Sequence, residues 1–307
     1  MNMEQYWKAN QKVGIFGIKY LDDKLSYILQ SDLILIGARS GAGKSTLAEM
    51  LAINNSKAGY PTYLFSLENY EGDSYATRVY NYYRAITKDY SLKQRVFACK
   101  EFEVNEKALE EAEEKAYNDF RGVEIKGRSS DYTIKRMCDD IIKASQDYKV
   151  IIIDHLDYID KEEQTDDNTH ITELMKAIRE VQEKYKVAII AISHLRKSNG
   201  KQLPAVPSID EFIGSSNKVK QATAVVMVAP DDALNEKEFN ENKKFTYMCI
   251  RKLRMGGIDN KVGRLTFDKR INAYEDKYDE CIVNFDGTKV EVILWHIKNL
   301  LVFIEGD

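Results

Sequence analysis

Cysteine, proline and long apolar runs are scarce in this chain of 307 residues. Its four cysteines are scattered without C-x-x-C spacing, which argues against a zinc site or a disulfide framework and favours reduced thiols in a cytosol. No apolar run is long enough to cross a bilayer, and the N-terminal MNMEQYWKANQK lacks the apolar core of a signal peptide. With only four prolines and no Gly/Ser-rich linker, we expect one compact cytoplasmic domain with short appendages and no membrane partner.

An excess of positive charge is also missing. Lysine and arginine total 45 against 49 aspartates and glutamates, so the formal net charge is −4. No global basic field therefore indicates a nucleic-acid partner, and any such contact must come from local patches or from a channel formed by assembly. The chain is nevertheless long enough to bury a full hydrophobic core.

What the sequence does contain is a strand–turn–helix segment of phosphate-binding type, LILIGARSGAGKSTLAEM at residues 33–50. An apolar run of strand length precedes a glycine-rich turn, and apolar residues recur after the turn at helical spacing. The turn matches the Walker A pattern, with alanine at its first glycine position. Gly41 and Gly43 permit the tight curl, so backbone N–H groups of residues 40–46 can surround an anion at a helix N-terminus.

We expect this loop to bind ATP or a close relative together with Mg²⁺. Lys44 would reach the β- and γ-phosphates, and the Ser45 hydroxyl would occupy one magnesium position. The expected nucleotide-binding residues are Ala38, Arg39, Ser40, Gly41, Ala42, Gly43, Lys44, Ser45 and Thr46. The alternative is an ordinary glycine-rich turn, which would leave the lysine, the hydroxyl and the flanking strand and helix without a common explanation.

Further apolar runs alternate with helical segments along the chain. Strands are predicted at residues 33–36, 62–66, 150–154, 187–193, 224–228 and 245–251. The first five are largely continuous apolar runs, which is typical of parallel strands covered on both faces. Helices are predicted at 21–29, within the polar stretch 70–144, and at 171–185. The pattern predicts an α/β fold of the doubly wound type, with a mainly parallel twisted sheet and helices on both faces.

Two carboxylates would complete the chemistry of the site. Asp154 ends an apolar run, as a Walker B aspartate does, and would hold the magnesium shell at the carboxyl edge of the sheet. Many P-loop ATPases place the catalytic glutamate next, but here the next residue is His155. The candidate base is therefore Glu68, after the run at 62–66, if that strand is a close neighbour of the one before the phosphate loop. The alternative for Glu68 is a helix-capping or surface role.

These segments together resemble a known group of proteins. GARSGAGKST, YLFSLE, VIIIDHLDYI and AIIAISHLRK occur in the order found in DnaB-type replicative helicases and their phage and mitochondrial relatives. The resemblance covers roughly residues 12–275 and implies a RecA-like P-loop fold. It also implies that Glu68 activates the attacking water and that His194 senses the γ-phosphate. Considered alone, His194 could equally be a structural histidine.

The resemblance continues into IRKLRMGG at residues 250–257, which is similar to the family's K-x-R-x-G strand end. In that family the lysine and arginine project into the ATP site of the neighbouring subunit. Lys252 and Arg254 are alternate residues, so both can face one phosphate group, and the planar guanidinium suits transition-state oxygens. The implied assembly is a homo-oligomeric ring or filament, with a hexamer expected. The alternative is a basic strand end exposed to solvent.

The DNA-facing segments depart from the family pattern. The loop IDKEEQTDDNTH at residues 159–170 is strongly acidic, which suits neither a phosphate-lined channel nor direct contact with DNA. Basic residues between His194 and Val225 are better candidates for single-stranded DNA, although surface lysines are usually just solvated. The candidate DNA contacts are Lys197, Lys201, Lys218 and Lys220.

We divide the chain into a lead-in (1–20), a RecA-like core (21–277) and a C-terminal appendage (278–307). The favoured function is an oligomeric ATPase that acts as a DnaB-like helicase or translocase on single-stranded DNA, with replication or recombination proteins as further partners. The alternative is a RecA-family ATPase that remodels protein or recombination complexes without unwinding. The acidic loop, and the absence of the family's primase-interacting domain before the core, favour that alternative. A scaffold without hydrolysis is opposed by Glu68 and Asp154.

Overall fold

The computed structural model describes residues 2–70, 72–130, 132–161, 165–195, 204–212, 215–237, 242–258, 261–270, 273–283 and 290–292. The strands are β1 (Lys12–Gly14), β2 (Ile28–Leu29), β3 (Leu33–Ala38), β4 (Thr62–Ser66), β5 (Val123–Gly127), β6 (Val150–Asp154), β7 (Ala188–His194), β8 (Ala224–Pro230), β9 (Lys243–Leu253), β10 (Lys261–Asp268), β11 (Ala273–Val283) and β12 (Val290–Val292). The helices are α1 (Met3–Ala9), α2 (Lys19–Leu25), α3 (Lys44–Lys57), α4 (Asp73–Thr87), α5 (Gln94–Ala98), α6 (Glu106–Phe120), α7 (Ile134–Ala144), α8 (Asp167–Tyr185), α9 (Ser215–Gln221) and α10 (Asp232–Lys237).

One large twisted sheet organises the chain, with the strand order β12-β11-β10-β9-β8-β3-β7-β6-β4-β5. The strands from β8 to β5 run parallel, and β9 to β12 extend the sheet as an antiparallel meander. All residues of β3, β4 and β6 are buried, as expected for parallel strands with both faces covered. The predicted α/β class with a mainly parallel sheet is confirmed.

Helices cover the sheet on both faces and create two apolar layers. On one face, α7 and α8 pack their apolar sides, including Met137 and Ile178, against the sheet. On the other face, α2 and α3 do the same with residues such as Leu21 and Leu51. None of the helices in these ranges is both long and apolar enough to cross a bilayer.

The strands that sequence patterns did not reveal lie toward the sheet's edges. β5 is an edge strand whose residues are exposed or only partly buried, so it lacks the continuous apolar run that marks the central strands. The antiparallel strands β10 and β11 follow the predicted β9 and alternate polar with apolar residues. β11 runs through residue 278, so the expected boundary of the appendage falls inside a strand.

A satellite cluster formed by α4, α5 and α6 stands beside the main core. Beneath it, the Arg78 guanidinium donates to Asp119 at 2.6 Å, both side chains being almost fully buried. The Tyr82 hydroxyl donates to the same carboxylate at 2.6 Å, and Lys57 also pairs with it. Burial works to raise the pKa of Asp119, but the hydrogen bonds from Lys57 and Tyr82 and the charge of Arg78 outweigh it and lower the pKa.

We expect Asp119→Asn to lower the free energy of unfolding by about 3 kcal/mol, because it leaves the Arg78 guanidinium buried without a counter-charge. Denaturant unfolding measures the change. The matched control is Glu111→Gln, which removes one partner of the exposed Glu111–Lys115 pair. That control should stay within about 0.5 kcal/mol of the wild type. Equal losses in the two variants would contradict the central role of the buried pair.

Candidate active site

The carboxyl ends of β3, β7, β6 and β4 meet at one edge of the sheet. The register pairs Ala38 with His194 across β3 and β7, and Ser66 with Asp154 across β4 and β6. β4 is not a neighbour of β3, because β7 and β6 lie between them, so the condition attached to Glu68 is wrong. Glu68 instead reaches the site because β4 pairs directly with β6, which ends in Asp154.

The phosphate loop follows β3 at this edge and leads into α3, which begins at Lys44. Gly41 and Gly43 have φ values of 80° and 76°, in the left-handed region where side chains are strained. A Cβ atom at either position would meet no atom within 4 Å, so backbone conformation rather than space requires glycine here. The loop therefore has the curl that turns backbone N–H groups inward at the start of a helix.

Lys44 is buried beside this loop, with its Nζ atom 3.5 Å from the carbonyl oxygen of Arg39. Burial lowers the pKa of Lys44, and the nearby carboxylates of Glu68, Asp154 and Asp157 act against that shift. A partly desolvated ammonium at the mouth of an anion-binding loop would gain strongly from a phosphate group. This is the position that the sequence predicted for a lysine bound to the β- and γ-phosphates.

Asp154 and Ser45 have the donor atoms that Mg²⁺ prefers. Asp154 is 1% exposed, and its Oδ1 atom has no hydrogen-bond partner within the described part of the chain. Burial raises the pKa of this carboxyl, against a hydrogen bond from Ser45. A buried carboxylate oxygen without a partner, next to a hydroxyl, fits a bound divalent cation that would supply the missing contact.

Glu68 and His194 are linked through His155. The Nε2 atoms of His155 and His194 are 2.9 Å apart, and the Glu68 Oε2 atom lies 3.6 Å from His155 Nε2. His155 is 3% exposed, and the peptide bond that precedes it is cis. Burial lowers the pKa of His194, and the charge of His155 adds to the shift. The structure thus brings both predicted residues together, with His155 between them.

The four candidate DNA contacts have different outcomes. Lys218 does not lie on the surface: its side chain is 1% exposed, and its Nζ atom donates to Ser193 Oγ at 2.6 Å. Its assignment to DNA is therefore wrong, because α9 packs the ammonium under β7. Lys220, on the same helix, is exposed and stays a candidate. Lys197 and Lys201 lie outside the described residues.

Arg39 contributes to the site through its backbone rather than its side chain. Its guanidinium makes a two-pronged ion pair with Glu211, at 2.9 and 3.0 Å, and donates to the carbonyl oxygen of Pro204 at 2.7 Å. These contacts tie the phosphate loop to the segment 204–212. Glu211 closes that short helical turn by accepting the backbone N–H of Ser208.

The acidic loop at 159–170 owes part of its composition to local structure. Asp166 caps α8 by accepting the backbone N–H groups of Asn168 and Thr169. Asp160 accepts from Arg128 at 2.8 Å and from the backbone of Tyr132 at 2.6 Å. These acidic side chains therefore have structural partners, and their presence does not by itself argue against a DNA-facing role for the surface around them.

Sequence patterns missed a cavity of about 420 Å³ beside the phosphate loop. Gly43 and Thr46 line one side, and aromatic residues of the antiparallel strands line the other, with Phe267 and Tyr274 in an edge-to-face pair 5.3 Å apart. Its shape and aromatic wall suit a planar heterocycle. No motif marks these aromatics, because strands far apart in the sequence bring them together.

Lys252 and Arg254 lie at the opposite edge of the sheet. β9 runs antiparallel to β8, so Leu253 pairs with Ala224, which pairs with Ile34 at the start of β3. The phosphate loop begins beyond Ala38, roughly 13 Å further along the strand. Burial lowers the pKa of Lys252, and the charges of Arg254 and Arg179 add to the shift, so three cations converge here.

A cis role is therefore excluded for Arg254 in the subunit that carries it. The Arg254 guanidinium is exposed and makes no ion pair with any residue in the described ranges, while its backbone N–H donates to Thr223. Lys252 Nζ donates to the carbonyl oxygens of Val219 and Lys220 at 2.5 and 3.2 Å, at the end of α9. The structure thus brings Lys252 near α9 and leaves Arg254 open to solvent.

Comparison with known proteins agrees with this arrangement. The family model for the DnaB-like helicase C-terminal domain matches residues 15–276. Among solved structures, the chain is similar to a DnaB-like replicative helicase studied with its interactions with primase, with a TM-score of 0.69 and 16% identity over 89% of this chain. The present chain spans only 64% of that helicase chain.

Other solved structures share the fold. An ATPase domain of another protein also gives a TM-score of 0.69 at 16% identity, with 89% of this chain and 94% of that domain covered. A KaiC-like protein, PH0186 from Pyrococcus horikoshii OT3, gives 0.55 at 15% identity, over 86% and 98%. No curated protein matches the chain by sequence. The predicted RecA-like fold is confirmed by these structural neighbours.

We expect Lys44→Ala to weaken ATP binding by about 100-fold, because charge-assisted hydrogen bonds contribute about 1.5–3 kcal/mol each and no nearby cation replaces them. Calorimetric titration with ATP measures the loss. Lys115→Ala, which removes an exposed lysine on α6, is the matched control and should bind as the wild type does. Wild-type affinity in the Lys44 variant would show that the phosphate-loop assignment is wrong.

Glu68→Gln should leave ATP binding intact and slow hydrolysis by about 10²- to 10⁴-fold, which is the usual effect of a positioned base. Steady-state turnover beside equilibrium binding separates the two quantities. Glu113→Gln, on the exposed face of α6, controls for the loss of one negative charge. Turnover that is equal in the two variants would assign Glu68 to a surface role.

Proposed function

The chain belongs to the DnaB-like helicase C-terminal domain family, and on that premise we propose that it is the Mg²⁺-dependent, ATP-hydrolysing motor of a ring that moves on single-stranded DNA. The observation that carries the proposal is the separation of its phosphate-binding groups. The phosphate loop, Asp154 and Glu68 lie at one edge of the sheet, whereas Lys252 and Arg254 lie at the other. A complete site then needs a second subunit.

At the first edge, the backbone of residues 40–46 and Lys44 bind the triphosphate. The cavity beside the loop receives the base against Phe267 and Tyr274. Ser45 and Asp154 hold Mg²⁺, which when bound neutralises charge on the phosphate oxygens. Each of these groups binds or orients the nucleotide, and none of them activates water.

Hydrolysis depends on Glu68 and His194. Glu68 is partly exposed at the mouth of the site, where its carboxylate can accept a hydrogen bond from water and orient it toward the γ-phosphate. His194 stands beside the end of β3, where its ring can donate to a γ-phosphate oxygen. Loss of the γ-phosphate removes that hydrogen-bond acceptor, which is how this histidine would distinguish ATP from ADP.

At the second edge, Arg254 reaches the ATP of the neighbouring subunit. The cluster of Lys252, Arg254 and Arg179 concentrates positive charge where the described chain has few acids to balance it, apart from Glu183 paired with Arg179. A phosphate from a neighbour would relieve this repulsion, and a guanidinium stabilises the charge that develops during transfer. A ring, with a hexamer as the expected size, closes such a head-to-tail contact.

The second candidate is a RecA-like ATPase that remodels protein or recombination complexes without unwinding DNA. One observation favours it: of the four lysines assigned to DNA, only Lys220 is an exposed candidate within the described ranges, since Lys218 is buried. A strand-displacement assay beside a DNA-stimulated ATPase assay decides between the two. Unwinding that requires ATP supports the helicase. Hydrolysis that DNA does not stimulate, without unwinding, supports the remodelling ATPase.

Arg254→Ala should bind ATP nearly as the wild type does but hydrolyse it about 10³-fold more slowly, because the guanidinium acts on charge present only in the transition state. Mixing this variant with Lys44→Ala should restore part of the activity. Some interfaces in the mixed ring would then pair an intact phosphate loop with an intact arginine. ATPase rates at several mixing ratios, without DNA, measure the rescue.

The matched control is Arg264→Ala, which removes a guanidinium paired with Asp279 at 2.7 Å on β10. This control should keep wild-type turnover. If no mixing ratio of Arg254→Ala and Lys44→Ala restores activity, Arg254 does not act across a subunit interface. A monomeric wild type with full ATPase activity would overturn the ring itself.

A further inference from the structure

The buried ammonium of Lys218 has no role in the proposed mechanism. It comes from α9, donates to Ser193 Oγ at 2.6 Å and lies 3.5 Å from the Asp157 Oδ1 atom. Burial lowers the pKa of Lys218, and the Asp157 carboxylate acts against the shift. Placing a lysine inside a protein is costly unless a counter-charge is present, so this pair calls for an explanation.

Asp157 connects the lysine to both histidines of the site. Its Oδ2 atom accepts from His155 Nδ1 at 3.1 Å and from the backbone N–H of His194 at 2.8 Å. Burial works to raise the pKa of Asp157, but the hydrogen bond from His155 and the charge of Lys218 outweigh it and hold the pKa well below its ordinary value. One carboxylate thus anchors one histidine by its ring and the other by its backbone.

These contacts determine which imidazole nitrogen carries a proton. Because Asp157 accepts the proton on His155 Nδ1, the Nε2 atom of neutral His155 is an acceptor. It then accepts from His194 Nε2, 2.9 Å away, and so orients the N–H group that a γ-phosphate oxygen would use. His155 Nε2 is also 3.6 Å from the Glu68 carboxylate. The contacts therefore lead from α9 to the candidate sensor and base.

We propose that Asp157 and Lys218 are positioning residues for ATP hydrolysis, which hold His155 and the backbone of His194 so that the γ-phosphate is sensed and Glu68 is aligned. The inference rests on the proposed ATPase function. Lys218 keeps the Asp157 carboxylate in place, and Asp157 acts on the site only through the two histidines. The pair also ties α9, which carries the exposed Lys220, to the catalytic edge of the sheet.

The test uses two double variants that both remove the buried charges, so that neither leaves one of them unpaired. Asp157→Asn with Lys218→Met keeps an oxygen that can accept from His155 and from the His194 backbone. Asp157→Leu with Lys218→Met removes that acceptor and keeps a similar volume. The readouts are kcat and KM for ATP, melting temperature, and the ratio of dissociation constants for ADP and a non-hydrolysable ATP analogue.

We expect the leucine double variant to lose about 10- to 100-fold in kcat relative to the asparagine double variant, with KM little changed, since misplaced groups slow the chemical step. Its preference for the triphosphate analogue over ADP should fall by about 10-fold, which is the effect of one charge-assisted hydrogen bond. Equal kcat and equal nucleotide preference in the two double variants would overturn the proposal.

Asp119→Asn is the matched control for instability, because it breaks a buried ion pair that lies outside the catalytic edge. It should lower the melting temperature without changing kcat at a temperature where it is folded. If kcat in the double variants follows melting temperature as closely as it does in this control series, the pair is only structural and the proposal is wrong. If the wild type hydrolyses no ATP, the proposed function fails, while the nucleotide preference still decides the positioning role.

Discussion

The parallel register of β3, β7, β6 and β4 is the constraint on which the site depends. Strands that run side by side in the same direction end at the same height, so residues from distant parts of the sequence meet there. Burial on both faces makes this register hard to change, because a shift by one residue would turn every side chain to the opposite face. The hydrophobic effect that stabilises the sheet therefore also positions Asp154 and His194.

Burial has different consequences for the charged groups at this edge. Lys44 and Asp154 are desolvated without full compensation, and the pKa of each moves as burial alone would move it. Asp157 is also desolvated, but its contacts with His155 and Lys218 reverse the shift. Groups with unmet electrostatic needs are suited to bind a ligand. A group whose needs are met inside the protein is suited to hold its neighbours in place.

The same sheet explains why one subunit would carry an incomplete site. An antiparallel strand, β9, takes the chain from the catalytic edge to the opposite edge, where Lys252 and Arg254 emerge. Their charges repel one another there, and Arg254 is open to solvent. The contact that would satisfy them is a phosphate presented by another molecule. Assembly and chemistry are then two consequences of the same strand order.

Short-range patterns in the sequence determined the phosphate loop, the central parallel strands and the identities of Asp154, Glu68 and His194, because turn geometry and continuous apolar runs are encoded within a few residues. Only the tertiary structure decided that β4 lies beside β6, that Phe267 and Tyr274 line a cavity, and that Lys218 is buried. In sequence, a lysine in a polar segment resembles a solvated one. Whether its charge is buried depends on a carboxylate sixty-one residues away, and strand order, which no local pattern encodes, brings the two together.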